Sequence, residues 1–439
     1  MDSNRQISEI GIDLPRLIRL DATSGDLATD RLGRETFVHI LQHLLDFDRL
    51  GPGYVLGISG GWGTGKTWVL KSLKSNLENN PVLRKTKAIW FDAWKYENSD
   101  GLLYSLVKQI ESEADLITLG RRKVYFDGLA TAILDGIDSV SGPLAKAHPY
   151  LAATPLGSKI LRRLADKKFD AQKRMAEKFC EIIKLIATDS GRVVIFIDDL
   201  DRCLPESIIG LLEQIKHITS YPNCAAGFVL GIDREAIRSA VRSRYGPDFS
   251  QNATDSYVEK IVNHCVELPE PRVEHYEALL SESFERFAMV VDPDKLKKIA
   301  VLLKAGRLNN ARKILLALNS LDLISRAYEE IQDFPLVEVF GVLLLKEFWP
   351  ELYRDLLRDK ELFGGLQALA TTLPGHRLNA ARNNARPPVI EEKYISDEDL
   401  FHFLAALVPN VIPINTSYSG DAFGRYIRYA QLVEPFPDS

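Results

Sequence analysis

Eight consecutive residues, Gly60-Gly61-Trp62-Gly63-Thr64-Gly65-Lys66-Thr67, fit the pattern G-x4-G-K-[ST]. Each position has a chemical reason. The glycines let backbone N–H groups turn inward around a chain of phosphates. Lys66 is placed to bridge the β- and γ-phosphates and Thr67 to ligate Mg²⁺. A helix starting at Gly65 or Lys66 would add the partial positive charge of its N-terminus. Trp68 is taken with the same nucleotide-contacting stretch. A second constellation is Asp198-Asp199, which follows the apolar run Val193-Val194-Ile195-Phe196-Ile197. Asp198 would hold the metal, and Asp199 would orient or deprotonate the attacking water. A third candidate is Asp233, ending Leu230-Gly231-Ile232-Asp233-Arg234. A polar residue there can reach the γ-phosphate, and it can equally cap the next helix; both can hold at once.

These groups act only if strands deliver them to one edge of a sheet. Tyr54 to Ser59 reads as a strand running into the glycine loop, followed by a helix to about Leu77. Lys87 to Trp94 reads as a second strand and Asp100 to Ala114 as a helix. Val193 to Ile197 suits a central parallel strand buried on both faces. Helices follow at Pro205 to Ile218 and Arg234 to Arg244, with a strand at Ala225 to Ile232 between them. His264 beside Cys265 also reads as strand content. Strands alternating with helices predict an α/β parallel sheet. The extra strand between the two nucleotide motifs predicts the additional-strand class of P-loop NTPase, which activates water with an acid after the Mg²⁺ aspartate.

Beyond about residue 255 helical spacing dominates, at Val273 to Phe287, Asp294 to Leu303, Leu308 to Ile331 and Val337 to Leu357. Residues 377–390 read as a loop, and Asp397 to Leu407 as a last helix. The expected division is 1–114 for a lead-in and the first part of the core, 115–165 for an insertion, 166–268 for the rest of the core, and 269–439 for a helical region.

Composition narrows the functional classes. The chain has 439 residues, 46% hydrophobic and 26% charged, with 55 Lys+Arg against 60 Asp+Glu. A net charge of −5 is not the footprint of a dedicated nucleic-acid binder. Locally, Lys159, Arg162, Arg163, Lys167, Lys168, Lys173 and Arg174 form a basic stretch within 159–174. It can touch nucleic acid or anionic lipid, or be one solvated helix face. The cysteines Cys180, Cys203, Cys224 and Cys265 form no CxxC pair and read as reduced thiols. The eight histidines show no metal-ligand spacing, and no G-x-S-x-G element occurs. No apolar run is long and uncharged enough to span a bilayer, and the N-terminus lacks a signal-peptide core. A cytoplasmic location is expected, with peripheral membrane association left open. Trp90 and Trp94, beside Phe91 and Tyr96, read as core packing under the nucleotide site, with a partner contact as the alternative.

Taken together these stretches resemble the KAP family of P-loop NTPases. The matching segments are Gly61-Trp62-Gly63, Trp90-Phe91-Asp92-Ala93-Trp94-Lys95-Tyr96 and, most specific, Asp198-Asp199-Leu200-Asp201-Arg202-Cys203. Asp30-Arg31-Leu32-Gly33-Arg34, Gly231-Ile232-Asp233-Arg234-Glu235 and Tyr257-Val258-Glu259-Lys260-Ile261 also fit. Asn310-Ala311-Arg312-Lys313 to Asn319 is similar to the family's N-P-R region, with Ala311 where proline is usual. The resemblance covers roughly residues 28–350. It implies ATP hydrolysis with Mg²⁺ and a regulatory or assembly role, often at membranes, and for some bacterial members a place in phage defence. Many members carry transmembrane helices between the two nucleotide motifs; the 115–165 insertion here holds no such span.

Phosphoryl transfer also gains from an arginine that neutralises transition-state charge. Arg202, Arg234 and Arg312 are candidates. Arg312 is favoured as a sensor coupling nucleotide state to domain closure, against helix packing or a surface ion pair. Arg242 and Arg244 are candidates for a finger supplied to a neighbouring protomer. Three functions stay open: an ATPase driving a conformational or assembly change, a slow ATP switch that oligomerises or recruits a partner protein, and a small-molecule kinase.

Overall fold

The computed structural model describes residues 30, 32–45, 53–79, 86–97, 101–113, 173–187, 191–222, 224–246, 251–327, 334–359, 361–370, 372–383, 390–411 and 420–431. The expected insertion at 115–165 and the basic positions 159–168 lie outside these residues. By contact density the chain divides into two compact units. One holds Arg34–Pro269; the other holds Asp30–Gly33 with Glu270–Ser439.

The first unit is a five-stranded sheet, every pairing in it parallel. Its strands are β1 (Val55–Ser59), β2 (Thr86–Asp92), β3 (Arg192–Asp198), β4 (Ala226–Ile232) and β5 (His264–Glu267), in the order β2-β3-β4-β1-β5. Each parallel step needs a crossover, and the helices supply it. Alternation along the strands divides the core into two layers. Val193, Ile195, Ile197, Phe228 and Leu230 join one apolar cluster, with Leu106 and Leu212 from helices. Val194, Phe196 and Val229 join the other, with Val38, Leu41 and Leu73. A strand between two such layers must be apolar on both faces, which is why β3 and β4 read as unbroken hydrophobic runs.

β2 ends at Asp92, two residues before the expected Trp94. The Asp92 carboxylate accepts the Lys95 N–H at 3.2 Å, and the Ala93 N–H donates to the Asp198 carbonyl at 3.0 Å. An aspartate that closes its own turn takes the chain out of the sheet, and Trp94–Tyr96 become a single 3₁₀ turn. β5 is a partly exposed edge strand preceded by the helix Gln251–Ile261. The buried Cys180 thiol donates to the Ile218 carbonyl at 3.9 Å, and the neighbouring Cys224 thiol together with burial raises its affinity for a proton.

The second unit is helical. Val273–Arg286, Pro293–Ala305, Ala311–Ala327 and Leu336–Phe348 pack around one apolar cluster that includes Leu280, Leu303, Leu318 and Phe340. The helix expected over Val337 to Leu357 is broken in two. Pro350 has no N–H to continue the ladder, so Leu336–Phe348 stops and Pro350–Arg358 starts with proline in its first turn. Part of the expected 377–390 loop is helix, Pro374–Asn383. Its polar sequence hides an anchor: Arg377 is 3% exposed, lies 4.1 Å over the Phe401 ring and donates to the Thr372 carbonyl at 2.8 Å. No helix among the described residues is long and apolar enough to cross a membrane.

Candidate functional site

β1 delivers the glycine loop, and the helix Lys66–Asn79 leaves it. Gly63 and Gly65 take φ of +80° and +101°, a region that side chains avoid. The loop is braced from within. The Thr64 hydroxyl donates to the Gly61 carbonyl at 2.7 Å, and the Gly60 N–H donates to Ile232 at 3.2 Å on the next strand. From outside the loop, buried Arg34 donates to the Thr64 carbonyl at 3.4 Å.

Lys66 is turned back into the loop. Its ammonium donates to the carbonyls of Gly60 at 2.8 Å and Gly61 at 3.2 Å, and meets the Asp201 carboxylate at 2.9 Å. Both side chains of that ion pair are nearly buried, at 8% and 9% exposure. Trp68 has a different place from the one expected of it. It is buried in the apolar layer with Val69, Leu70 and Leu73, because the first helical turn carries it away from the loop.

β3 delivers the acids. Asp198 is buried and in register with Asp92 on β2. Burial raises its affinity for a proton, against the opposing pull of the Thr67 hydroxyl beside it. The room for it comes from β4: a Cβ on Gly231 would stand 3.0 Å from Asp198 Oδ1 and 2.9 Å from Leu70 Cδ1. A buried carboxylate beside a threonine hydroxyl is a hard-oxygen pair that needs a compensating positive charge, and it fits Mg²⁺. Asp199 follows with φ of +54°, a left-handed conformation that costs a non-glycine residue about 1–3 kcal/mol. It turns the carboxylate out of the strand direction into a half-buried position. Burial, then the Asp198 charge, push it up to about 6, against the opposing pull of Arg202.

Asp233 caps the helix Arg234–Tyr245, accepting the Glu235 N–H at 2.9 Å. The capping alternative is therefore realised. Arg234 pairs with Glu267 at 3.1 Å, and Arg244 approaches Glu213 at 3.5 Å. Arg312 stands in the first turn of Ala311–Ala327, within the helical unit.

One participant carried no role of its own in the sequence: Asp201, the acid that meets Lys66. Arg202, one of the arginine candidates, meets Asp199 Oδ1 at 3.0 Å. Both project from the 3₁₀ turn Leu200–Arg202. The available signal was the acid three residues after Asp198, one turn on. Trp94 was expected in the core. It is 53% exposed and faces Arg202.

The sequence profile of the KAP family P-loop domain matches residues 34–328. An uncharacterised protein of Methanocaldococcus jannaschii is 30% identical over 172 residues, covering 32% of this chain and 87% of its own. The phage T7 exclusion protein of Escherichia coli K12 is 24% identical over 273 residues, covering 57% of this chain. The chain spans 35% of that protein's length. Among solved structures, a Walker-type ATPase of Pyrococcus abyssi aligns over 85% of this chain and 95% of its own, at 12% identity and a TM-score of 0.38. With a profile match over more than half its length, and a parallel sheet that brings the phosphate loop beside the acidic strand end, the chain belongs to the KAP family of P-loop NTPases.

Proposed function

We propose that the protein binds ATP with Mg²⁺ and hydrolyses it, and that turnover drives a conformational or assembly change. The observation that carries this reading is the buried Lys66–Asp201 ion pair at 2.9 Å, which joins the phosphate loop to the turn at the acidic strand end. The loop N–H groups and Lys66 would bind the β- and γ-phosphates. Thr67 and Asp198 would hold Mg²⁺, which neutralises charge on the phosphate oxygens when bound. Asp199 would orient the attacking water and accept its proton. Trp62, Gly60, Gly61, Gly63, Thr64 and Gly65 shape the loop, and Asp233 combines its cap with sensing. Arg312 is retained as the arginine that reports nucleotide state to the helical unit; Arg312→Ala would then lower kcat with nucleotide affinity kept.

Phosphate release from ATP tests the core of the proposal. Lys66→Ala should abolish nucleotide binding, while Asp199→Asn should spare binding and stop hydrolysis. Unchanged turnover in Asp199→Asn would remove the assigned base, and a phosphorylated small molecule in place of free phosphate would make the protein a kinase.

A slow switch is the second reading, favoured by the mutual pairing of the site's own groups. Lys66 is engaged by Asp201, and Asp199 by Arg202. Catalysis would need the Lys66–Asp201 pair to open first. Sizing the protein with and without ATP and Mg²⁺ separates the two, because a fast ATPase of constant mass excludes an assembling switch. The likeness to the phage T7 exclusion protein supports a proposal of phage defence. Plaque formation on cells carrying the wild-type chain or Lys66→Ala tests it.

A further inference from the structure

Arg202 is the most constrained side chain at the rim of the site. Its guanidinium carbon lies 5.2 Å over the ring of Trp94, in the 3₁₀ turn after β2, and 5.9 Å over the ring of Trp62, inside the phosphate loop. Its Nε approaches Asp199 Oδ1 to 3.0 Å as an ion pair, although the N–H is not aligned for a hydrogen bond. The backbone closes the same turn, with the Arg202 N–H donating to the Asp199 carbonyl at 3.3 Å. Both tryptophans are about half exposed, at 55% and 53%. Apolar burial therefore does not account for their placement, and both rings face the Arg202 guanidinium. An arginine faced by two indoles loses most of its rotamer freedom, and the planar group keeps one direction toward the carboxylate.

Four carboxylates gather here: Asp92 from β2, Asp198 and Asp199 at the end of β3, and Asp201 from the following turn. Lys66 is committed to Asp201. Arg202 is then the cation that faces Asp199, and without it mutual repulsion would swing that side chain toward solvent.

We propose that Arg202, held between Trp62 and Trp94, is a positioning residue that fixes the Asp199 carboxylate for water activation. This rests on the proposal that Asp199 orients the attacking water. It also ties that orientation to the phosphate loop, to which Trp62 belongs.

The test is steady-state ATP hydrolysis and nucleotide affinity for Arg202→Ala, Trp94→Ala, Trp94→Phe and Asp199→Asn, each confirmed as folded by thermal melting. Arg202→Ala should lower kcat at least tenfold with KM within about threefold of wild type. Trp94→Ala should lower kcat several-fold in the same pattern, and Trp94→Phe should restore it. A role in packing alone would not give that split or that rescue. Trp94 is half exposed and outside the proposed binding groups, so its variants keep the proposal falsifiable if Arg202→Ala does not fold. Wild-type kcat in Trp94→Ala, or an equal loss of affinity and rate in Arg202→Ala, overturns the inference while Asp199→Asn still abolishes turnover. Unchanged turnover in Asp199→Asn overturns the underlying assignment and this inference with it.

Discussion

Asp201→Asn separates the resting site from the working one. The Lys66 ammonium has three protons, and three acceptors take them: Gly60 at 2.8 Å, Gly61 at 3.2 Å and Asp201 at 2.9 Å. A phosphate can be bound by this lysine only if at least one acceptor is given up. Asp201 carries the charge, so it is the competitor. Breaking a buried ion pair by removing one partner generally costs about 3–5 kcal/mol. Asparagine keeps an acceptor oxygen near Lys66, so the expected loss is smaller, about 1–3 kcal/mol for exchanging a charged acceptor for a neutral one. That loss falls on the ligand-free protein alone, because phosphates replace the carboxylate once ATP binds. The variant should therefore melt lower than wild type without nucleotide, and the gap should narrow at saturating ATP and Mg²⁺. Affinity should rise in step, by about tenfold for each 1.4 kcal/mol that the competitor no longer holds. Thermal melting and titration with a fluorescent ATP analogue measure both sides. Tenfold weaker binding with unchanged ligand-free stability would refute the competition. It would place Asp201 among the groups that hold the bound nucleotide and its metal.

Gly65→Ala meets no heavy atom within 4 Å, so any effect comes from its φ of +101° alone. It should cost about 1–3 kcal/mol of stability and weaken ATP binding, read by melting and titration. Gly231→Val drives its side chain toward Asp198 Oδ1, 3.0 Å from the Cβ site. A loss of Mg²⁺-dependent hydrolysis larger than the loss of stability is expected, from activity measured against metal concentration. In the helical unit, the Arg326 Nε lies 3.0 Å and 3.1 Å from the two oxygens of Asp322, which is 1% exposed. Arg326→Ala should destabilise by about 3–5 kcal/mol in chemical denaturation, through the buried charge it abandons, and Asp322→Asn in the same chain should recover part of that.

What was legible in the sequence was what a local rule fixes. The phosphate loop is contiguous, and its glycines answer to one bound chain of phosphates. β3 lies between two apolar layers, so its unbroken Val-Val-Ile-Phe-Ile run could be little else. Capping at Asp233 needs only the next two residues. The failures share a cause of the opposite kind. Pro374–Asn383 reads as loop because its anchor, Arg377, looks like a surface residue until Phe401 is brought beneath it. Trp68 follows Thr67 directly, yet one helical step takes it into the core.

The turn after β3 is the informative case. Asp198, Asp199, Asp201 and Arg202 stand within five positions, so proximity was legible but direction was not. Direction depends on the left-handed φ of +54° at Asp199, followed by one 3₁₀ turn. That bend sends Asp201 to Lys66 and Arg202 to Trp62 and Trp94, so two neighbouring residues grip the phosphate loop at separate points. A change that draws Lys66 toward a phosphate loosens the first grip and leaves the second. On the proposed reading, Asp201 would be released while Arg202 keeps Asp199 in place. Sensing of the γ-phosphate, through Asp201, and placement of the base, through Arg202, would then fall to two neighbouring residues of one turn, closed by the 3.3 Å hydrogen bond from the Arg202 N–H to the Asp199 carbonyl.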